Sequence, residues 1–505
     1  MTSIRLNLVS NIVAAAYLAL ISLIFLPKFL EQLGSLQFGL IAFHTVIYGT
    51  SHLLDMGMSP LMGREAASLR HSEHGPQMFA RVLRTLEFAA LLIVALVTGV
   101  FWAGSEFFLL DWLNLSTEES GGLNGSVIAI GLVAGLRPWC SLYKSALKGL
   151  ERQLTLNLIL ILVGTIRFPI TLLFIVTTTG SIGTYFEMQV FASLLELIVL
   201  GLLVYTSVPA CRRVGVRPYP AQLRPKLRFS LGVAYASFVW VLLTQMDKLM
   251  LSNALEVDMF GYFVLASTLC GGILLLATPV TDAVLPRLVS HHTVGNSKAE
   301  RSLYLRATTY LACLAFSAAA VLSVYARDVV WLWTANSSAS DATSNLIPLL
   351  AYGTAFAAVS GMLFQLQVAH GNLRMHTIYN SILILIQLPA LYFGILYYGA
   401  YGAAVAWLGI RAISLAVWTP YVHATLLPGA HVDWILRAVL LPLTVSALTA
   451  LGYVALTRAI FDGTTSNQLL PIVLGSAVTL LTTGSVARWA EPRYGFARNA
   501  TGRQS

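Results

Sequence analysis

The sequence predicts an all-α polytopic membrane protein of about fourteen transmembrane helices, on three observations. Of its 505 residues, 57% are hydrophobic and only 10% charged, where soluble domains carry roughly 25% charged residues. Apolar stretches recur at about the 20 residues that a helix needs to cross a bilayer core. Lys and Arg collect in alternate loops, the pattern of cytoplasmic segments. The solvent of this chain is mostly lipid.

The first apolar window, 8–30, contains Ala14-Ala15-Ala16, which could pass for a signal-peptidase site. The run continues unbroken to Leu26, too long for a signal h-region, so an uncleaved first span is expected. The second window, 38–60, ends in Asp55, Gly57 and Ser59-Pro60, followed by Arg64 and Arg70. It is a helix stopping at a positively charged surface. Windows at 82–104, 124–147, 154–178 and 185–208 follow, then a basic stretch from Arg212 to Arg228. The remaining windows are 229–253, 260–283, 304–326, 346–370, 377–398, 402–422, 435–457 and 469–487. Only Tyr398-Gly399-Ala400-Tyr401-Gly402 separates 377–398 from 402–422.

With both termini cytoplasmic, 24 of the 31 Lys and Arg fall in inside segments and only Lys28, Arg327 and Arg458 outside. That asymmetry is a strong positive-inside signal. The outside loops carry acids instead, among them Glu106, Asp111, Glu256, Asp328 and Asp462.

An internal repeat sets Gln37-Phe38-Gly39-Leu40 against Met259-Phe260-Gly261-Tyr262, at an offset of 222. It makes spans 1–2 a duplicate of spans 7–8, and repeated bundles are a common transporter plan. The expected organisation is a six-helix bundle over 1–210, a basic linker over 211–228, a second six-helix bundle over 229–425, and a final helix pair with a basic tail over 426–505.

Several functions are disfavoured. No loop exceeds about twenty-five residues, leaving no room for a soluble catalytic domain, and no P-loop is present to drive transport with nucleotide. The net charge of +9 is explained by cytoplasmic loops, without nucleic acid as a partner. Cys140, Cys211, Cys270 and Cys313 are scattered, so neither a disulfide framework nor a metal site is expected. No cofactor is indicated.

Charge within a span is costly, about 2.5–3.5 kcal/mol on insertion scales, and such residues usually face a cavity or a partner. Arg137 precedes Pro138 in span 4, and Arg167 lies two residues before Pro169 in span 5. Each Pro removes a backbone hydrogen bond, so cation and loosened turn coincide in adjacent spans. Arg411 lies mid-span in 12, and Lys248 stands beside Asp247 in span 7. The four cations are candidates for a cationic cavity that receives an anionic group such as phosphate. Alternatively, they pair with Glu187, Glu196 or Asp247 as structural glue. Glu196 and Asp247 are thus ion-coupling or counter-charge candidates. Asp55 and Arg64 are candidates for a cytoplasmic gate, with a helix cap as the plainer role for Asp55. His44 and His52 are read as polar lining. Gln245, Gln365, Gln367, Asn380 and Gln387 suit interhelical hydrogen bonds or sugar hydroxyls.

Several stretches resemble polysaccharide-export proteins: LLDMGMSPLMGREAA at 53–67, LLTQMDKLMLSNALEVDMFGYFVLAS at 242–267, TPVTDAVLPRL at 278–288, FQLQVAHGNLRMHTIYN at 364–380 and YGAYGAAVAW at 398–407. In this order they are similar to the Wzx-like O-antigen and oligosaccharide flippases of the MATE-like transporter superfamily. The resemblance implies alternating access between two bundles. It further implies a polyprenyl-diphosphate-linked oligosaccharide substrate, residence in a bacterial inner membrane among lipids, and a polymerase and glycosyltransferases as pathway partners. It implies no enzymatic activity. Two alternatives stand beside it. A drug or cation antiporter of the same superfamily would centre its site on acids. A membrane polymerase or ligase would carry a large outer loop.

Overall fold

The computed structural model describes residues 4–69, 75–178, 180–215, 217–223, 226–460 and 469–490. Arg70, Arg224, Asp462 and the basic tail beyond residue 490 lie outside the described residues. Within them the regular structure is entirely helical. The principal helices are α1 (Ile4–Leu33), α2 (Ser35–Thr50), α3 (Met58–Ser68), α4 (Gly75–Ala103), α5 (Asn124–Gly149), α6 (Gln153–Thr177) and α7 (Ile182–Ser207). They continue as α8 (Leu227–Ala254), α9 (Val257–Thr293), α10 (Ser297–Val324), α11 (Ile347–Ala369), α12 (Leu373–Leu426), α13 (His431–Thr457) and α14 (Leu469–Ala490).

Eleven helices among the described residues are long and apolar enough to cross a membrane. The difference from the expected fourteen lies in three places. α2 has 16 residues and reaches the second window's length only by continuing through a 3-10 turn, Ser51–Asp55, into α3. α8 has spanning length but carries Thr244, Gln245, Asp247, Lys248, Ser252 and Asn253. α12 runs for 54 residues and is broken at Gly399, whose φ of 55° and ψ of −133° are non-helical. That break falls in the Tyr398–Gly402 separator. The hairpin closes there because Gly394 and Gly402 meet backbone to backbone, and a side chain on either would collide with the other.

The outward faces are apolar. On α4, Leu91, Leu92, Leu96 and Trp102 are all exposed, a surface that only a lipid environment tolerates. This is a multi-pass membrane protein.

The chain forms two compact units. The first comprises the described residues of Met1–Leu265, Trp333–Ala339 and Asn380–Ala403. Its centre is α5, which packs against α3, α4 and α7 through buried Leu142, Tyr143, Ala146 and Leu147. α1 lies on α6, where Asn157 donates to Ser10 Oγ at 3.0 Å and Asn11 Oδ1 at 2.6 Å. Gln387 donates to the Leu243 carbonyl at 3.0 Å, the interhelical use of a span glutamine that the sequence suggested. The second unit comprises Ala266–Leu332, Ser340–Tyr379 and the described residues of Ala404–Ser505. Its centre is α10, against α11, α13 and α14. There Tyr304 Oη lies 2.9 Å from His423 Nε2, and Arg301 bonds the Gly429 carbonyl and Asp433 at 2.7 and 2.8 Å.

The repeated Phe-Gly pairs meet inside the first unit. Phe38 and Phe260 are fully buried. A methyl on Gly261 would stand 3.2 Å from the Gly39 Cα, and one on Gly39 would stand 2.2 Å from the Val257 carbonyl oxygen. The close approach therefore needs glycine at 39 and leaves a side chain at 261 tightly crowded. We predict that Gly39→Val lowers the melting temperature in detergent or abolishes folding. Gly99→Ala, where a methyl meets nothing within 4 Å, should not lower it. Equal melts for the two variants would refute this account of the contact.

Candidate functional site

The side chains that gather charge in the first unit come from α2, α5, α6 and α7. On α7, Gln189, Ser193 and Glu196 fall at i, i+4 and i+7, one face of the helix. On α5, Arg137 and Lys144 are also seven apart, so they share a face about 10 Å along its axis. On α6, Pro169 lies in a wide π turn, Ile166–Ile170, that also carries Arg167. The missing proline N–H opens the ladder there, and such bulges often accompany functional positions. Pro138 behaves differently, because α5 remains unbroken around it.

These elements converge on Glu196, whose side chain is 4% exposed. Lys144 Nζ lies 2.5 Å from its Oε1, and Arg167 Nη2 lies 3.2 Å from its Oε2. Arg167 also donates to Gln189 Oε1 at 3.1 Å and Ser193 Oγ at 2.9 Å. Gln189 returns a bond to the Arg167 carbonyl at 3.0 Å. Arg137 donates to the Tyr48 hydroxyl, and its guanidinium sits 4.0 Å from the centre of the Tyr48 ring. Arg167 lies 5.6 Å from the same ring, so Tyr48 presents its electron-rich face to both cations. Three cations thus surround one carboxylate.

His44 stands beside this cluster, enclosed by the rings of Tyr48, Tyr185 and Phe186 at 6.0, 6.2 and 5.7 Å. It is buried and neither ring nitrogen has a hydrogen-bond partner among the described residues. A buried polar group in that state marks a place where water or a ligand group completes the bonding.

A second charged network lies nearby on α4, α5 and α7. Glu87 accepts from Tyr143 at 2.6 Å, from Tyr205 at 2.8 Å and from Arg84 at 3.1 Å. Arg84 also donates to the Cys211 carbonyl at 3.1 Å. One carboxylate meets one guanidinium and two hydroxyls, so its charge is balanced among the described residues, although Arg84 Nε has no hydrogen-bond partner there.

The other sequence candidates are placed as follows. Lys248 contacts its neighbour Asp247 at 3.3 Å and the Thr244 carbonyl at 3.3 Å, both in the first unit. Arg411 belongs to the second unit, with its guanidinium 4.3 Å from the Trp407 ring. Asp55 accepts from the Ser59 backbone N–H at 3.2 Å and from the Ser59 hydroxyl, capping the start of α3, where Gly57 has a φ of 77°. Arg64 is exposed on α3, and its neighbour Glu65 pairs with Lys226. Glu187, weighed as a partner for Arg167, is exposed. Sequence reasoning counted Lys144 among loop charges and passed over Tyr48, Gln189, Ser193 and Glu87. The polar i, i+4, i+7 stripe in apolar α7 was the signal that would have found two of these.

The family model for polysaccharide biosynthesis proteins matches residues 4–292. No curated protein sequence matches the chain. Among solved structures, the lipid II flippase MurJ in an inward closed conformation is similar at a TM-score of 0.66 and 15% identity, covering 94% of this chain and 97% of that one. An inward-facing multidrug resistance MATE family transporter of the MOP superfamily gives 0.60 and 15%, covering 80% and 95%. A mutant form of the Vibrio cholerae MATE transporter VcmN gives 0.57 and 16%, covering 84% and 97%. At these identities the likeness is one of fold, and it covers nearly the whole of each structure. The fold is the one these transporter structures share, and the chain belongs to the polysaccharide biosynthesis protein family.

Proposed function

We propose that this protein is a flippase, moving a polyprenyl-diphosphate-linked oligosaccharide across a bacterial inner membrane by alternating access, without enzymatic chemistry. The observation that carries the reading is the charge imbalance around Glu196. Arg137, Arg167 and Lys144 exceed their one carboxylate by two positive charges, in a region where unpaired charge is expensive. A diphosphate supplies two negative charges and many acceptor oxygens, and guanidinium groups match that geometry well. Family membership in polysaccharide biosynthesis supports a saccharide cargo, and the MOP fold supports a transporter. The likeness to MurJ supports a lipid-linked cargo.

In this reading Arg137 and Lys144 take the diphosphate, while Arg167 is held by Glu196, Gln189 and Ser193 and sets the site's shape. Glu196 acts as the fixed counter-charge, not as the coupling ion's site, because two cations already occupy its oxygens. The Asp247–Lys248 pair is structural. The six-helix bundles of 1–210 and 229–425 are the moving parts, with Asp55 and Arg64 at the cytoplasmic gate. An antiporter of drugs or cations fits less well, since the cluster repels cations.

Three outcomes are expected in a cell lacking its own flippase. Arg137→Ala and Lys144→Ala should each reduce surface polysaccharide at least about tenfold at normal protein levels, and full export by both would sink the assignment. Glu87→Gln should instead act on the fold. Breaking a buried pair costs about 3–5 kcal/mol, so its melting temperature and abundance should fall together. Glu196→Gln should weaken transport while leaving its response to proton and sodium gradients intact. Loss of that response alone would make Glu196 the coupling site.

A further inference from the structure

Three side chains distant in sequence come together in the second unit, apart from the residues discussed so far. His292 lies in the last turn of α9, Glu300 in the first turn of α10, and His370 caps the C-terminus of α11. His370 Nε2 is 2.7 Å from Glu300 Oε1, and His292 Nδ1 is 3.7 Å from Glu300 Oε2. One donor atom from each residue lies within 4.8 Å of the other two. The imidazole rings face each other at 3.8 Å between centroids.

We propose that His292, Glu300 and His370 bind a divalent transition metal, zinc by preference. Ligands about 2.0–2.1 Å from a tetrahedral ion stand roughly 3.3 Å from one another, so donor atoms within 4.8 Å of one another need only a modest contraction to hold it. Two imidazoles and one carboxylate select zinc and its neighbours over magnesium or calcium, which prefer oxygen alone. The helices assist. α9 and α11 point their C-termini, with their partial negative charge, at the site, and the N-terminus of α10 stabilises the ionised Glu300. Glu300 is 4% exposed, whereas His292 is 41% exposed, which provides the entry path for an ion. Three protein ligands leave the fourth position to water. Bound there, the ion ties together the ends of three helices.

The cluster eluded the sequence because its spacing, eight residues and then seventy, matches no local metal motif. The test uses the full chain in detergent with an affinity tag that contains no histidine, stripped by chelator and then dialysed. Zinc is titrated against a chromophoric indicator, and Co2+ is added separately to read its visible absorption. One zinc per chain is expected, with the absorption of four-coordinate Co2+ and a zinc-dependent rise in melting temperature. His292→Asn, at an exposed position, should match the wild-type melt without metal but lose the zinc-dependent rise and at least about tenfold in affinity. Glu300→Gln should also lose the cobalt spectrum. Equal zinc binding by the wild type and a His292→Asn/His370→Asn double variant would overturn the proposal, as would a wild type that binds none.

Discussion

The ion group around Glu196 is the constraint on which the first unit depends. A carboxylate inside a membrane protein must be neutralised or satisfied. Here α5 supplies Lys144 and α6 supplies Arg167. Arg167 reaches it from a π turn, with Gln189 and Ser193 fixing the guanidinium. Three helices are thereby held in one register by a single acid. Comparison with Glu87 shows what is particular about the arrangement. There, the carboxylate and the guanidinium balance one another among the described residues. Around Glu196 the charges do not balance among the described residues, since Lys144 and Arg167 already pair with its two oxygens and Arg137 bonds the Tyr48 hydroxyl instead. The two networks use the same chemistry with a different balance of charge, one guanidinium beside Glu87 and three cations around Glu196.

Much of the fold was legible in the sequence because lipid imposes a one-dimensional code. Apolar length, loop charge and glycine breaks each report a local requirement, and the Gly399 break falls within the Tyr398–Gly402 separator. The site was legible in part. Arg137 and Arg167 stood out as cations beside prolines, and Glu196 was weighed as a partner for Arg167. Lys144 was not separable from loop charges, because a lysine near a helix end reads the same whether it snorkels to water or turns inward. Tyr48 carried no signal at all, since an aromatic in an apolar span is ordinary until its neighbours are known. Glu300 and His370 are seventy residues apart, and only folding makes them a pair.

The MOP fold hosts both multidrug and lipid II transporters, as the similar structures illustrate. Fold alone therefore leaves the cargo open. What the described residues of this chain bring together around Glu196 is a surplus of positive charge, a property of a few side chains.

The contact between Gly39 and Gly261 has a consequence for how this chain can change over time. The two glycines occupy equivalent places in the duplicated segment and touch each other. After duplication, copies ordinarily drift apart, each tolerating its own substitutions. At this point a side chain gained at Gly39 would run into the Val257 backbone, and one gained at Gly261 would crowd Phe38 and Gly39. Packing thus restrains the Phe-Gly likeness at the place where the two segments meet. That explains why a repeat so faint elsewhere is clearest at Phe-Gly.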